Sequence, residues 1–202
     1  MKKSNWKSRH ESDPYVKRAQ KEGWRSRAVF KIAELDKKYR LLQGGSVVID
    51  LGAAPGGWSQ YAAKIVLPKG RVVAIDILPM DSIPGVEFIQ ADFTTDIALQ
   101  QLQKAVKKQA VNLVISDMAP NISGVRSVDQ PRSIYLAELG LDFARKTLAG
   151  GGHFVAKVFH GEGFDELLND CRKSFKSVRI RKPTASRPES RETYVVASGY
   201  RL

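Results

Sequence analysis

Apolar residues fall along this chain in short, β-branched runs separated by longer amphipathic stretches, an alternation that begins near residue 47 and continues to the end. Val47–Leu51, Arg71–Ile77, Val86–Gln90, Val111–Ser116 and Gly152–Phe159 read as five strands, several of them almost continuously apolar, as strands covered on both faces are. Between them the pattern predicts helices from Gly56 to Val66, Thr95 to about Lys108, about Gln130 to Leu148, and about Phe164 to Phe175. Val178–Arg181 and Tyr194–Gly199 close the chain as two strands with no helix between them, so one is expected to run antiparallel. Ahead of the alternation, Asp13-Pro14 has the form of an N-cap followed by proline at the first helical position, opening a helix near residues 14–21. A second helix is expected from about Ser26 to Tyr39, with Val29, Ile32, Ala33 and Leu35 on its apolar side. Strands alternating with helices predict an α/β fold: a seven-stranded, mostly parallel sheet with one antiparallel strand and helices on both faces. Residues 1–12 are expected to form a disordered basic arm and residues 13–202 a single domain, since 202 residues suffice for one sizeable core.

Composition narrows the class. A hydrophobic fraction of 43% and a charged fraction of 27% are those of an ordinary globular protein. No apolar run approaches the roughly 18 residues that cross a bilayer, and the polar N-terminus has no secretory segment. The single Cys171 has no internal partner and His10, His153 and His160 are scattered, so neither a disulfide nor a metal cluster is expected. These features predict a cytoplasmic protein without structural metal, and nothing demands more than a monomer. The net charge of +12 changes the picture because of its distribution. Residues 1–40 hold 13 Lys/Arg against 5 Asp/Glu, residues 172–191 hold 8 against 1, and residues 41–171 hold 11 against 14. Two basic ends flanking a near-neutral body suggest a polyanion-binding face, because neutralising phosphates releases counterions. A merely soluble basic protein is the plainer alternative.

The first predicted strand runs into Asp50-Leu51-Gly52-Ala53-Ala54-Pro55-Gly56-Gly57-Trp58-Ser59, where small residues let the backbone approach a ligand just before a helix begins. This is not the dinucleotide fingerprint. Its third position is Ala54, and Pro55 removes an amide that would cradle a pyrophosphate. Asp76, 24 residues after Gly52, stands where a carboxylate accepts from a ribose diol, although it also suits an ordinary loop or cap. Asp92 follows the third strand, placed either to meet an adenine amino group or to cap the next helix. Together these strand ends describe an adenosine pocket, for S-adenosylmethionine or for NAD, and the glycine pattern favours the former.

The fourth strand ends in Ser116-Asp117-Met118-Ala119-Pro120-Asn121, and Lys157 interrupts the apolar fifth strand. A strand lysine is expensive to bury unless paired, and neighbouring strand ends converge, so Asp117 and Lys157 are candidates to meet. These motifs, with Arg25–Lys31, Asp76–Met80, Lys157–Asp165 and Ser190-Arg191-Glu192, resemble the FtsJ-like RNA ribose 2′-O-methyltransferases over nearly the whole chain, nearest to the bacterial large-subunit ribosomal RNA branch. The resemblance implies a Rossmann-like class I S-adenosylmethionine-dependent methyltransferase fold and a Lys-Asp-Lys-Glu catalytic set, which falls on Lys31, Asp117, Lys157 and Glu192. The cofactor contacts it implies fall on Gly56, Trp58, Asp76, Asp92 and Asp117, beside Gly52 of the loop. His160, where many relatives carry glutamine, and Val29, where some carry an aromatic, depart from the family pattern.

The expected activity is therefore S-adenosylmethionine-dependent 2′-O-methylation of a ribose, a uridine by resemblance, in large-subunit ribosomal RNA or the ribosomal particle. Lys157 would act on the hydroxyl with Asp117 orienting its amine, Lys31 biasing Lys157 and holding substrate, and Glu192 tuning the cluster. Lys17, Arg18, Lys21, Arg25 and Arg27, with Arg179, Arg181, Lys182, Arg187 and Arg191, are the expected RNA-phosphate contacts. A transfer-RNA or messenger-cap ribose methyltransferase and a ribosome-assembly factor of the same fold are the alternatives. A dehydrogenase is disfavoured by the loop.

Overall fold

The structure, a computed structural model, describes residues 12–106 and 109–202. The expected basic arm lies, but for Ser12, outside the described residues, as do the last two residues of the helix expected to reach Lys108. Seven strands form one sheet: β1 (Val47–Leu51), β2 (Arg71–Asp76), β3 (Val86–Gln90), β4 (Val111–Ser116), β5 (Leu148–Phe159), β6 (Phe175–Arg181) and β7 (Glu192–Tyr200). Their order is β3-β2-β1-β4-β5-β7-β6. Strands β1 to β5 pair in parallel, while β7 runs antiparallel to both β5 and β6. The chain winds outward from β1 in one direction and from β4 in the other, so the loops after β1 and β4 part and open a crevice at the carboxyl ends of the strands.

Among the described residues there are six helices: α1 (Pro14–Lys21), which packs on α2, and α2 (Val29–Tyr39), α3 (Gly57–Val66), α4 (Asp96–Val106), α5 (Arg126–Thr147) and α6 (Phe164–Ser174), which flank the sheet. The two-residue period of each strand divides its apolar side chains between two cores. Val48, Leu113, Ile115 and Val155 pack with Ile32 and Leu35 of α2 and Trp58 and Ala62 of α3. Ile49, Leu51, Val114, Phe154 and Ala156 pack on the other face with Leu102, Leu141 and Leu167 from α4, α5 and α6.

Several boundaries differ from the sequence reading, among them the start of α2 at Val29 rather than about Ser26 and of β6 at Phe175 rather than Val178. Helix α5 begins at Arg126 rather than about Gln130 and carries Pro131 inside it. The turn ahead of the proline survives because Asp129 folds back on the preceding loop, accepting from Ser123 N (2.9 Å), Ser123 Oγ (2.8 Å) and Gly124 N (3.0 Å). Strand β5 begins at Leu148, and its register against β4 shifts between Val111 and Leu113, where the run Gly150–Gly152 bulges. Strand β7 gains Glu192 and Thr193 at its start, which brings Glu192 into the sheet.

Phe154, fully buried in β5, stacks on Phe175 with ring centroids 6.4 Å apart. Phe154→Ala should cost about 3–5 kcal/mol, read as a lower urea midpoint with an unchanged slope.

Candidate active site

A cleft of about 320 Å³ opens where β1, β2, β3 and β4 end. Its walls include Gly52, Asp76, Asp92 and Asp117, with Leu78, Phe93 and Leu136 among its apolar members. Gly52 makes this crevice possible. With φ at +76°, it donates to the Ile75 carbonyl (2.9 Å), and an added Cβ would lie 2.9 Å from Met118 N. Asp76 is held across the mouth by two backbone amides, Ala54 N on Oδ2 and Leu78 N on Oδ1, both 2.9 Å. Asp92 accepts from Thr94 N (2.9 Å) and Thr94 Oγ1 (2.8 Å), so it is the turn cap that its context allowed as well as a wall of the cleft.

Two of the expected cofactor residues stand elsewhere. Gly56 is buried against Met80, Ile83 and Arg25, and Trp58 lies inside the α2–α3 core, donating Nε1–H to the Ala28 carbonyl at 2.8 Å. The Trp58 ring sits 5.7 Å from that of Tyr194, so it braces the site from below.

Beyond Asp117 the chain buries a run of charges. Lys31 and Lys157 are only 8% and 9% exposed. Lys157 Nζ lies 2.6 Å from the Asp117 carbonyl oxygen and 3.0 Å from Asp117 Oδ1. Tyr194 donates its hydroxyl proton to the same Oδ1 (2.8 Å) and accepts from Lys31 Nζ (3.2 Å). Lys31 is ion-paired in turn with Glu192. All four residues of the implied catalytic set thus meet, and the member that joins them is Tyr194, which the sequence reading missed. The signal was present in the alternation of the last strand: Glu192 and Tyr194 share a face, and antiparallel pairing sets Lys157 directly opposite Tyr194.

The electrostatics follow from burial. Burial works against charge on Asp117, but the positive charges of Lys157 and then Lys31, with hydrogen bonds from Tyr194 and Lys157, outweigh it and hold the carboxyl below its usual range. Burial first, then the negative charges of Asp117 and Glu192, push the Tyr194 phenol well above its ordinary value, so it stays a neutral donor.

The basic ends of the sequence come together in space. Arg27 pairs with Asp13 and donates to the Ala185 carbonyl, Arg187 lies 3.6 Å from Asp13, and Glu34 accepts from Thr184 N at 2.8 Å. A cleft of about 340 Å³ between α2 and the loop before β7, lined by Arg27, Lys31, Arg187, Ser190 and Glu192 among others, leads to the charged run. Several expected phosphate contacts are engaged within the protein. Arg25 donates to the carbonyls of Pro55 (3.3 Å), Asp81 (2.6 Å) and Ser82 (2.7 Å). Lys182 donates to Pro188 O (3.1 Å) and Ser190 O (2.8 Å), Arg18 pairs with Glu22 (2.7 Å), and Arg181 lies over the Tyr39 ring at 5.5 Å. Lys17, Lys21, Arg179 and Arg191 stand exposed.

Asp50 lies fully buried beneath the loop that follows β1, with Oδ2 accepting from Ser59 Oγ (2.6 Å) and Oδ1 without a partner among the described residues. Burial, aided by the negative charges of Asp117 and Asp76 and opposed by the Ser59 hydrogen bond, pushes its carboxyl up to about 7. A carboxyl that binds its proton more tightly folded than unfolded favours the fold at low pH, and that contribution is lost as pH rises from about 4 to about 7. The melting temperature of Asp50→Asn, relative to the unsubstituted protein, should therefore climb across that interval. A constant difference would show that Asp50 does not titrate there.

Comparison with known proteins gives a consistent result. The FtsJ-like methyltransferase family model matches residues 24–200. A protein of Legionella pneumophila (strain Corby) named ribosomal RNA large subunit methyltransferase E is 54% identical over 197 residues, covering 98% of this chain and 96% of its own. One of the same name from Pseudomonas fluorescens (strain Pf0-1) is 55% identical over 196 residues, covering 97% and 94%. Among solved structures, a ribosomal RNA methyltransferase from Plasmodium falciparum superposes with a TM-score of 0.76 at 28% identity, over 88% of this chain and 98% of that one. The sheet order, the crevice and the matched residues agree: the chain belongs to the FtsJ-like methyltransferase family.

Proposed function

We propose that this protein transfers a methyl group from S-adenosylmethionine to a ribose 2′-hydroxyl of large-subunit ribosomal RNA, with a uridine as the target nucleotide. The observation that carries the reading is the position of Asp117. It lines the cofactor-side cleft and also anchors Lys157 and Tyr194 of the charged run. The relatives named for large-subunit ribosomal RNA match almost end to end, which supports the choice of substrate.

The cleft suits this cofactor on its own chemistry. Asp76, Asp92 and Asp117 line it, and among the described residues no Lys or Arg does. Such a surface repels a pyrophosphate and favours a ligand bearing positive charge. Asp76 is placed for the ribose diol, with Phe93 and Leu78 among the apolar wall residues beside it. Bound there, S-adenosylmethionine supplies a methyl group on a cationic sulfur that leaves as a neutral thioether.

The protein's share of the chemistry is alignment and removal of one proton. Lys157, whose Nζ is held 2.6 Å from the Asp117 carbonyl oxygen and 3.0 Å from Oδ1, would take the 2′-hydroxyl proton on the lone pair of its amine form. Lys31, fixed by its ion pair with Glu192 and its hydrogen bond to Tyr194, would help hold the substrate. Tyr194 locks the Asp117 carboxylate so that the amine cannot turn away.

The test is transfer of labelled methyl to large-subunit particles from cells lacking the protein, beside free ribosomal and transfer RNA. The expected result is label in one alkali-resistant nucleotide of large-subunit RNA; label confined to transfer RNA would overturn the substrate. Lys157→Met should lower turnover by roughly 10²–10⁴-fold and leave cofactor affinity nearly intact. Tyr194→Phe should lower kcat by about 10- to 100-fold, the loss of one hydrogen bond to a charged group. Near-normal turnover in Lys157→Met would refute its role.

A further inference from the structure

A second cleft, of about 410 Å³, lies beside the charged run and takes no part in the chemistry above. Three chain segments build it, and each continues directly from a residue of the site. Ile122 and Gly124 follow Asp117 out of β4, Phe159 and His160 follow Lys157 out of β5, and Glu189–Arg191 lead into Glu192. Glu189 and Ser190 also line the basic cleft that leads to Lys31, so the two clefts lie on either side of one short segment.

The walls are held in place without any ligand. Both Asp129 oxygens are occupied by the 123–124 backbone and Ser123 Oγ, which sets the loop carrying Ile122. Buried Gln130 donates to the Glu162 carbonyl (2.8 Å), and it packs so closely on Gly161 that an added Cβ would fall 2.5 Å from Gln130 Cδ and displace that side chain. Ser133 Oγ accepts from Phe159 N (3.2 Å). His160, exposed at the rim, is backed by the buried Phe164 ring with centroids 4.1 Å apart. The result is a flat imidazole on an aromatic support, an exposed isoleucine facing the same space, and a polar fringe of Arg126, Glu189 and Arg191.

We infer that this cleft receives the nucleobase of the nucleotide whose ribose is methylated, with His160 stacking on it and Glu189 taking its ring N–H. This rests on the RNA methyltransferase reading above and deepens it. Bases extruded from structured RNA are held by stacking on aromatic or imidazole rings and by hydrogen bonds to their edges. His160 offers the ring. The fringe offers guanidinium donors and one carboxylate acceptor, Glu189, since Asp129 is already occupied. Uracil presents two carbonyl acceptors around an N–H donor, which matches that set. Cytosine presents no N–H at the same ring position, so Glu189 would face a lone pair.

The experiment uses large-subunit particles reassembled with RNA that carries either uridine or an abasic ribose at the methylated position. With uridine, His160→Ala should lower kcat/KM by roughly 5- to 150-fold, the usual worth of one stacked base, and His160→Phe should restore most of it. With the abasic ribose, His160→Ala and the unsubstituted protein should perform alike. Glu189→Gln should narrow the preference for uridine over cytidine. An equal loss for His160→Ala on both RNAs would assign the cleft to another part of the particle, and no loss on uridine would remove it from recognition; either overturns the inference alone. Absence of methylation by the unsubstituted protein on the uridine particle would instead overturn the underlying reading and the inference with it.

Discussion

The hydroxyl of Tyr194 holds the site together. Two lysines and two carboxylates are drawn into a space where either lysine alone would be strongly disfavoured, since a buried ammonium without a partner loses several kcal/mol of hydration. The solution in this chain is a series: Glu192 to Lys31, Lys31 to Tyr194, Tyr194 to Asp117, Asp117 to Lys157. Tyr194 is fully buried and is the one neutral member, accepting from one lysine and donating to the far carboxylate. Its ring is supported by Trp58, whose own N–H is spent on the backbone just before α2. The loop that borders the cofactor-side cleft, the helix that brings Lys31 and the strand that brings Tyr194 are thereby fastened at one point.

That arrangement depends on the topology of the sheet. Inserting β7 antiparallel between β5 and β6 places the start of β7 against the carboxyl end of β5, where the crevice lies. A parallel strand there would present its opposite end. The pairing Lys157 with Tyr194 and Phe159 with Glu192 then follows from register alone. The same register carries the segment before β7 over the rim, which is how Glu189 to Arg191 come to separate the basic cleft from the second cleft.

Much of this was legible in the sequence because burial writes itself as periodicity. Strands β1, β3 and β4 fall where the apolar runs predict; β1 and β4 are covered on both faces and have little freedom of register, while β3 stands half-buried at the sheet edge. The exceptions have local causes. The N-terminal turn of α5 was hidden by Pro131, and only the folded-back Asp129 makes it stable. The early start of β5 was hidden by consecutive glycines that bulge rather than break the strand. In the site, Asp117 and Lys157 were visible as charges at strand ends, whereas Lys31 and Glu192 came only through the family resemblance. Tyr194 was not visible, because an aromatic residue in a strand is ordinary and only its hydroxyl, paired across two strands, gives it a role. Trp58 illustrates the reverse: a motif residue beside the crevice whose side chain turns into the core.

Charge also explains why the basic ends cannot be read as a simple count of phosphate contacts. Arg25 and Arg27 sit in the segment joining α1 to α2, yet their guanidinium groups bind carbonyls of the protein itself and Asp13. Arg25 spans from that segment to Pro55 in the cofactor-side loop and to Asp81 and Ser82 after β2, so it ties the basic surface to the crevice instead of reaching outward. A positive group spent in this way still contributes to the field above it, because Coulomb attraction to a polyanion does not require contact. The protein therefore presents two fields of opposite sign side by side, an acidic crevice and a basic rim, with Asp117 and Lys157 at the boundary. On the function proposed above, a cationic methyl donor and an anionic RNA would each be drawn to its own side and would meet at the pair of residues that joins them.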